Sequence, residues 1–408
     1  MEYEHRDELD KDGISKDKCI TYGQWNLSVR REDHMSDSII IKNIEIFNVR
    51  VTHKTNWLFV RMTSSDGIEG LGEASLAGRE SDVIDIFAVE KEKLMGRSVD
   101  LERLERKLQF DSLPRSAYSS AIMQCFSDIV ARSQGVSLAE SLGGIKRSFV
   151  GMYANINRRT TDRTTMGFVE SALLAQRSGY TAFKLAPFDE VRPNQSQREM
   201  REAMTIGLDR IQAVVDAVGS GSRVMVDCHW RFNFKGAQDL IKASESLNLY
   251  WIECPIVEEL ASIPDLVLLR DQANRLGVRL AGLEMNIRRS GFQPYLDAGA
   301  YDVMMPDIKY AGGPAELLRI SEIFENFDVD FSPHNPTGPI CHAASIQVCA
   351  AASKVDLLEH QFDETVYFDE LVGGDLPTVS EGGVVIKSGA VGIGVAFDNE
   401  VLRALITS

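Results

Sequence analysis

The chain has 408 residues, 44% hydrophobic and 25% charged, with 60 acidic against 44 basic side chains and a formal net charge of −16 at pH 7. That length and balance describe a globular chain of one large or two ordinary domains and exclude the fibrous and wholly disordered classes. The acidic surplus argues against nucleic acid or an anionic membrane as a partner, and no apolar run reaches the length of a membrane span. An anionic small substrate stays compatible, because a bound dication and a few lysines reverse the sign locally.

Residues 1–38 are polar and charge-mixed, without a sustained apolar period, and read as a disordered or appended leader in which Met35 is a candidate natural start. From Ile39 the character changes. IIIKNIEIFNVRV and WLFVRMTSS read as strands, and Asp66-Gly67 is a hairpin turn signal before IEGLGEASL. Helical segments follow around Val83 to Met95 and Leu101 to Phe110, and a third from near Pro114 with Tyr118, Ile122, Cys125 and Ile129 on one face and Gly135 as its stop. Residues 39–148 are therefore expected to form an α+β unit.

From about Val150 the pattern becomes strand, helix, strand, helix. GMYANI, TAFKLAPF, RVMVDCH, LYWIECPI, RLAGLEM, DVMMPDI, VDFSPHN and VDLLEHQ are eight apolar runs, separated by amphipathic stretches such as LDRIQAVVDAV. Eight such units over residues 149–365 predict an α/β fold, a (β/α)8 TIM-type barrel, where a doubly wound sheet usually has fewer. The last segment, 366–408, with GGVVIKS, is expected to return to the first unit and complete an α+β capping domain. The six cysteines, Cys19, Cys125, Cys228, Cys254, Cys341 and Cys349, are dispersed without a C-x-x-C pair and read as reduced core residues of a cytoplasmic protein.

The chemistry gathers where the runs end. Side by side, these ends carry Lys184, Asp227 with His229, Glu253, Glu284, Asp307, His334 and Glu359. If the runs are parallel strands of one barrel, Asp227, Glu253 and Glu284 share the rim at which barrel enzymes keep their active sites. Three convergent carboxylates repel unless a cation lies between them, and hard oxygen donors suit Mg²⁺. Strand alternation is expected to turn the neighbouring thiols of Cys228 and Cys254 away from that metal.

These ends, the DVMMPD run followed by AGG, the SPHNPTGPI segment and SQGVSLAESLGG together resemble the mandelate racemase and muconate lactonizing enzyme branch of the enolase superfamily, from about Ile39 to nearly the end of the chain. The resemblance implies abstraction of a proton α to a substrate carboxylate. A Lys or His base acting with Mg²⁺ on an ene-diolate is the known scheme of that superfamily, not something the spacing shows. It implies His334 as base with Asp307 orienting it, and Asp227, Glu253 and Glu284 as metal ligands. Three carboxylates exceed a dication by one charge before the substrate adds its own, so Lys184 becomes the additional cation. Glu359, if protonated as a crowded acid tends to be, becomes a donor to the ene-diolate. His342 and His360 are expected to be structural.

Two departures from the simplest pattern bear on the reaction. Many members carry Lys-x-Lys on the second strand; here FKLAPF puts Ala186 at the second position, which weakens a two-base racemase or epimerase. Asp227-x-His229 places an imidazole on the third strand, similar to the galactonate and mannonate dehydratases, where such a histidine helps a β-hydroxyl leave. The reading is a Mg²⁺-dependent hydro-lyase of an aldonate or aldarate giving a 2-keto-3-deoxy acid, as a homo-oligomer acting on a small-molecule carboxylate. Substrate contacts are expected from Arg79, Trp230, Arg231, Asn286 and Arg288. The alternatives are a racemase, epimerase or cycloisomerase on the same scaffold, a Schiff-base aldolase using Lys184, and a non-catalytic binding barrel.

Overall fold

The computed structural model describes residues 38–406, so the expectations for the leader, Met35 and Cys19 lie outside the described residues. The first unit is an antiparallel sheet of β1 (Ile39–Arg50), β2 (Asn56–Ser64), β3 (Glu69–Glu73) and β4 (Ser98–Val99), in the order β3-β2-β1-β4. The hairpin between β2 and β3 turns at Asp66-Gly67, where Gly67 has φ of 87°. Helices Glu80–Glu90, Leu101–Lys107 and Leu113–Gln134 follow. The first two stop short of the lengths expected, the first passing into a 3-10 turn at Lys91–Lys93.

Helix Leu113–Gln134 opens with Pro114 in its first turn and stops at Gly135 in the left-handed conformation, the expected signals for both ends. It lies directly on β3, because β3 carries glycine where side chains would meet helix backbone. A Cβ at position 70 would stand 2.1 Å from the Cys125 carbonyl oxygen, and one at 72 would stand 2.4 Å from that of Ala121.

The second unit is the expected (β/α)8 barrel. Its parallel strands are β5 (Phe149–Asn155), β6 (Ala182–Leu185), β7 (Arg223–Asp227), β8 (Trp251–Glu253), β9 (Arg279–Gly282), β10 (Val303–Met304), β11 (Asp330–Phe331) and β12 (Leu358–Gln361). Each pairs with the next up to β11, and β12 returns beside β5. The ring closes through backbone hydrogen bonds from Asp356 N to Phe331 O (2.9 Å) and Glu359 N to Pro333 O (3.4 Å). The interior is packed with Tyr153, Ala182, Met225, Trp251, Ala281, Val303, Met305 and Leu357, all buried. Alternation along each strand carries that same inward face up to Lys184, Asp227, Glu253 and Glu359. A larger apolar layer fills the space between strands and helices. The 22-residue helix Gln197–Val218 starts with a capping box from Ser196 and Glu199.

The closing segment divides. GGVVIKS, expected on the capping domain, instead supplies β13 (Gly383–Val385), which pairs antiparallel with β5 of the barrel. Beyond it the chain does reach the first unit: Ile393 N donates to Asp128 Oδ1 (2.8 Å), Phe397 packs on Phe59 at 5.3 Å, and Val49 bridges Ile406. The physical reason is that β5 is flanked only by β6 and β12 along part of its length, leaving its first residues, Phe149 to Gly151, free to pair. Among the described residues no helix is long and apolar enough to cross a membrane.

The close approach of β3 to the helix generates a test. Gly72→Ala should cost about 1–3 kcal/mol, the usual penalty of forcing an extra methyl into packed backbone. Urea unfolding measures it, and an unchanged midpoint would show that β3 does not sit on the helix in solution.

Candidate active site

Asp227 and Glu253 close β7 and β8 and are direct partners in the ladder between them. The ladder then continues past the strands: Cys228 N donates to Glu253 O, Trp230 N to Cys254 O and Cys254 N to Ala281 O, at 2.8–3.0 Å. Glu284 lies two residues beyond β9, after Leu283, whose φ is 73°. Asp307 and His334 each lie three residues past the ends of β10 and β11, while Lys184 and Glu359 sit within β6 and β12. The strand ends are thus a less even series than the sequence pattern suggests, but the side chains converge.

Lys184 is 1% exposed and its Nζ stands 2.7 Å from Glu253 Oε1 and 2.8 Å from Glu359 Oε1, with the Tyr153 ring 5.3 Å away. Burial works against its charge, yet Glu253 and Glu359 together raise its pKa well above the ordinary value. That corrects two readings. A lysine locked as an ammonium between two buried acids is the reverse of a Schiff-base nucleophile, which needs a depressed pKa. Glu359, expected to be protonated, is also corrected. It accepts from Lys184, from Asn155 Nδ2 (2.7 Å) and from Asn335 N (2.8 Å), and against its burial Lys184, then His334 and the Asn335 N–H, hold its carboxyl below the usual range. It is an acceptor, because three donors converge on it.

The surplus negative charge falls on Glu253 and Glu284. Both are pushed up, Glu253 by burial and then by Asp227, Glu359 and Glu284, and Glu284 by burial, with Asp227 adding to it. Buried carboxylates with uncompensated charge are what a divalent cation offsets, so the donor set fits such an ion. Among the described residues, Glu253, Cys254 and Glu284 bring ligand atoms within 4.8 Å of one another. The Cys254 thiol was expected to point away. It does not, because Cys254 has φ of 45° and the alternation of the strand is broken at that residue. Asp227 faces His229 instead, with Nε2 to Oδ2 at 2.7 Å and the His229 backbone N–H on Oδ1 at 2.9 Å. The Asp227 carboxylate raises the imidazole to about 9, and in return, against its burial, Asp227 is held well down.

Across the site, His334 Nδ1 stands 2.8 Å from Asp307 Oδ2, and its Nε2 is 3.4 Å from Glu284 Oε2. Burial opposes the charge on His334, but Glu284 and Asp307 raise its pKa. Asp307 is kept ionised against burial by Lys309, whose buried Nζ is 2.9 Å from the same Oδ2, and by His334 itself. In the neutral ring, Nδ1–H donating to Asp307 leaves the lone pair on Nε2.

The five substrate-contact candidates all have partners within the chain. Arg79 is exposed and paired with Asp82. Trp230 donates its Nε1–H to Glu258 Oε2 (2.9 Å), and Arg231 reaches the Asp189 and Val191 carbonyls (3.3 Å each). Asn286 Nδ2 donates to Gly291 O (2.8 Å), and Arg288 pairs with Glu316 (3.1 Å) beneath the Phe110 ring of the capping domain. His342 and His360 stack at 4.4 Å, with burial lowering both. The five described cysteines are all buried and unpaired.

Several residues escaped the sequence reading. Lys309 and Asn335 stand beside residues already singled out, in PDIKY and SPHNP, so adjacency was their one signal. Glu258, pushed up to about 7 by burial, and the wholly buried Glu73 of the capping domain had none. Glu73 accepts from Thr337 Oγ1 (2.5 Å), Gly338 N (2.8 Å) and Cys341 N (3.0 Å), so it caps helix Pro339–Ala351 just after the His334 loop.

A parallel eight-stranded barrel with acids and histidines at its strand ends, under an α+β cap, defines a recognisable class of barrel protein. Comparison with known families makes it specific. Residues 38–143 match the model described as mandelate racemase / muconate lactonizing enzyme, N-terminal domain, and residues 167–401 that described as enolase C-terminal domain-like. The chain belongs to the mandelate racemase and muconate lactonizing enzyme family of the enolase superfamily. It is 30% identical over 353 residues to the D-gluconate dehydratase of Thermoproteus tenax, covering 85% of this chain and 69% of that one. With the D-xylonate dehydratase of Haloferax volcanii it shares 24% over 403 residues, 95% of each. Among solved structures, a mandelate racemase/muconate lactonizing enzyme-like protein from Rubrobacter xylanophilus superposes with a TM-score of 0.79 at 27% identity, covering 91% and 98% of the two chains.

The ion pairs of Lys184 generate a second test. Lys184→Met should cost about 3–5 kcal/mol, because it strands two buried carboxylates. Denaturant unfolding reads the loss, and a cost within about 1 kcal/mol, as for exposed pairs, would show that the acids are solvated.

Proposed function

We propose that the protein is a Mg²⁺-dependent dehydratase of a sugar acid, removing the proton α to the carboxylate and expelling the 3-hydroxyl to give a 2-keto-3-deoxy acid. The observation that carries this reading is a pair of imidazoles on two different strand ends, each gripped by its own aspartate and both close enough to Glu284 to act on its charge. β-Elimination of water asks for one group to take a proton and another to give one. The names of relatives, D-gluconate and D-xylonate dehydratase, support the same reaction and substrate class.

In this reading a Mg²⁺ ion held by Asp227, Glu253 and Glu284 supplies a counter-charge for the substrate carboxylate as negative charge grows on it. His334 takes the C2 proton on Nε2, because its other nitrogen is committed to Asp307, and Asp307 in turn is held by Lys309. Lys184 adds a fixed positive charge at the floor of the site, and Glu359 keeps that charge in place. His229 shares its proton with Asp227; once that carboxylate is engaged elsewhere, Nε2 can deliver the proton to the departing 3-hydroxyl, with returning His334 as the other candidate donor. The enol left behind tautomerises to the ketone. Ala186 adds no base on the second strand.

Two imidazoles also suit proton transfer in and out at C2, which keeps a racemase or epimerase as the second reading. The variants separate the two. His334→Asn should abolish both C2 deuterium exchange and dehydration, by about 10²–10⁴-fold or more, the usual worth of a general base. His229→Asn should keep exchange and lose dehydration if His229 is the acid. A panel of hexonates, hexarates and pentonates with Mg²⁺, read out as 2-keto acid, tests the reaction itself. Exchange at C2 without ketone from every member would overturn the dehydratase in favour of the second reading, and activity insensitive to EDTA would remove the metal.

A further inference from the structure

Three of the turns at the barrel mouth hold non-glycine residues in the left-handed region: Trp230 at φ 56°, Cys254 at 45° and Leu283 at 73°. Such residues persist only where the surroundings over-determine them. Each stands next to a proposed metal ligand, Trp230 three residues after Asp227, Cys254 directly after Glu253 and Leu283 directly before Glu284. One carboxylate meets all three. Glu258 Oε1 accepts from Leu283 N at 2.8 Å and from the Tyr301 hydroxyl at 2.7 Å, Oε2 accepts from Trp230 Nε1 at 2.9 Å, and the Cys254 thiol lies 3.7–3.8 Å from both oxygens. The Glu258 backbone is pinned as well, since the Tyr295 hydroxyl donates to its carbonyl at 3.0 Å.

The position next to this carboxylate is kept clear. Gly282 ends β9, and a Cβ there would lie 2.2 Å from Glu258 Oε1 and 2.9 Å from the Tyr301 ring. Gly282 has no positive φ, so conformational freedom does not account for it; space does.

We infer that Glu258 is a positioning residue that clamps the three turns carrying Asp227, Glu253 and Glu284, fixing the spacing of the metal ligands without itself touching substrate. The inference rests on the metal-dependent reading above. Outer partners of this kind typically govern metal affinity by 10–100-fold. Its elements are separable. Glu258→Gln keeps size and shape but places an amide N–H against a donor, either Trp230 Nε1 or the Leu283 and Tyr301 pair, so it breaks one arm of the clamp. Gly282→Ala leaves the carboxylate intact and displaces it.

The experiment is a titration of the intact protein with Mn²⁺, followed by the electron paramagnetic resonance signal of the free ion, alongside circular dichroism and a kcat and KM determination. Wild type should bind one ion. Glu258→Gln and Gly282→Ala should bind it about 10–100-fold more weakly while keeping the wild-type circular dichroism spectrum, and added Mn²⁺ should restore much of kcat. Wild-type Mn²⁺ affinity in both variants would overturn the clamp and leave the metal reading standing. Absence of ion binding by wild type would overturn the metal reading, and the clamp with it. A variant that loses ion affinity only in proportion to lost folded signal would mean that Glu258 is structural and no more.

Discussion

The structure depends on holding five carboxylates, Asp227, Glu253, Glu284, Asp307 and Glu359, at one end of a barrel whose interior below them is apolar. Each is buried, so solvent relieves little of their repulsion, and at low effective dielectric such repulsion is costly. Two ammonium groups and two imidazoles are interleaved: Lys184 between Glu253 and Glu359, His229 on Asp227, Lys309 on Asp307, and His334 between Asp307 and Glu284. The directions of the pKa shifts follow from this arrangement. Asp227 and Asp307, each with a partner of its own, are held down, as is Glu359, which shares Lys184 with Glu253 but also accepts from Asn335 N and lies near His334, whereas Glu253 and Glu284 are pushed up. The pair left wanting positive charge, Glu253 and Glu284, is the pair whose ligand atoms lie close enough to hold a divalent ion.

The capping domain takes part in that arrangement from above. Glu73, at the end of β3, accepts from three donors in the turn after His334 and the helix it opens, so the His334 loop is fastened at one end by Asp307 and at the other by a residue of a different unit. Helix Leu113–Gln134 touches the element after Asp307 in a similar way, through Ser120 Oγ accepting from Gly312 N at 3.1 Å. Gly313 allows the contact, since a Cβ there would lie 2.7 Å from that of Met123. The segments that follow Asp307 and His334 are both seated against the cap, and the glycines of β3 that bring this helix close are part of the same chain of contacts. A packing change in the cap therefore reaches the candidate site without touching any of its side chains.

Much of this was legible because a barrel repeats. One strand, one helix and two loops recur, so acids at the mouth recur in sequence, and the third to fifth strand ends could be aligned on Asp227, Glu253 and Glu284 alone. The legible part stopped where the backbone left the repeat. The direction of Cys254 was misjudged because alternation holds only inside a strand, and the residue after Glu253 is left-handed. The protonation of Glu359 was misjudged because its partners, Asn155, Asn335 and Lys184, come from three other segments. Glu73 and Glu258 were invisible for the same reason: a loop or strand-end acid acquires meaning only from the donors that folding brings to it. GGVVIKS has the composition of a short strand, but nothing in it names the edge it will join.

Strand order adds a geometric argument to the assignment of roles. In a ring of eight, β7 and β11 stand four places apart, so the turns carrying His229 and His334 rise from opposite sides of the barrel mouth. The proposed ligands come from β7, β8 and the turn after β9, along the arc between them. A carboxylate anchored on that arc would present its neighbouring carbons toward the middle of the mouth, with one imidazole on either side. Lys184 cannot substitute for either imidazole, since its ammonium lies buried in the floor between two acids. Ala186, just past the end of β6, adds no titratable group on that side. That leaves His229 and His334 as the two imidazoles on opposite sides of the mouth, each paired with an aspartate of its own. In the proposed reaction each imidazole therefore answers to a different carboxylate, His229 to Asp227 and His334 to Asp307.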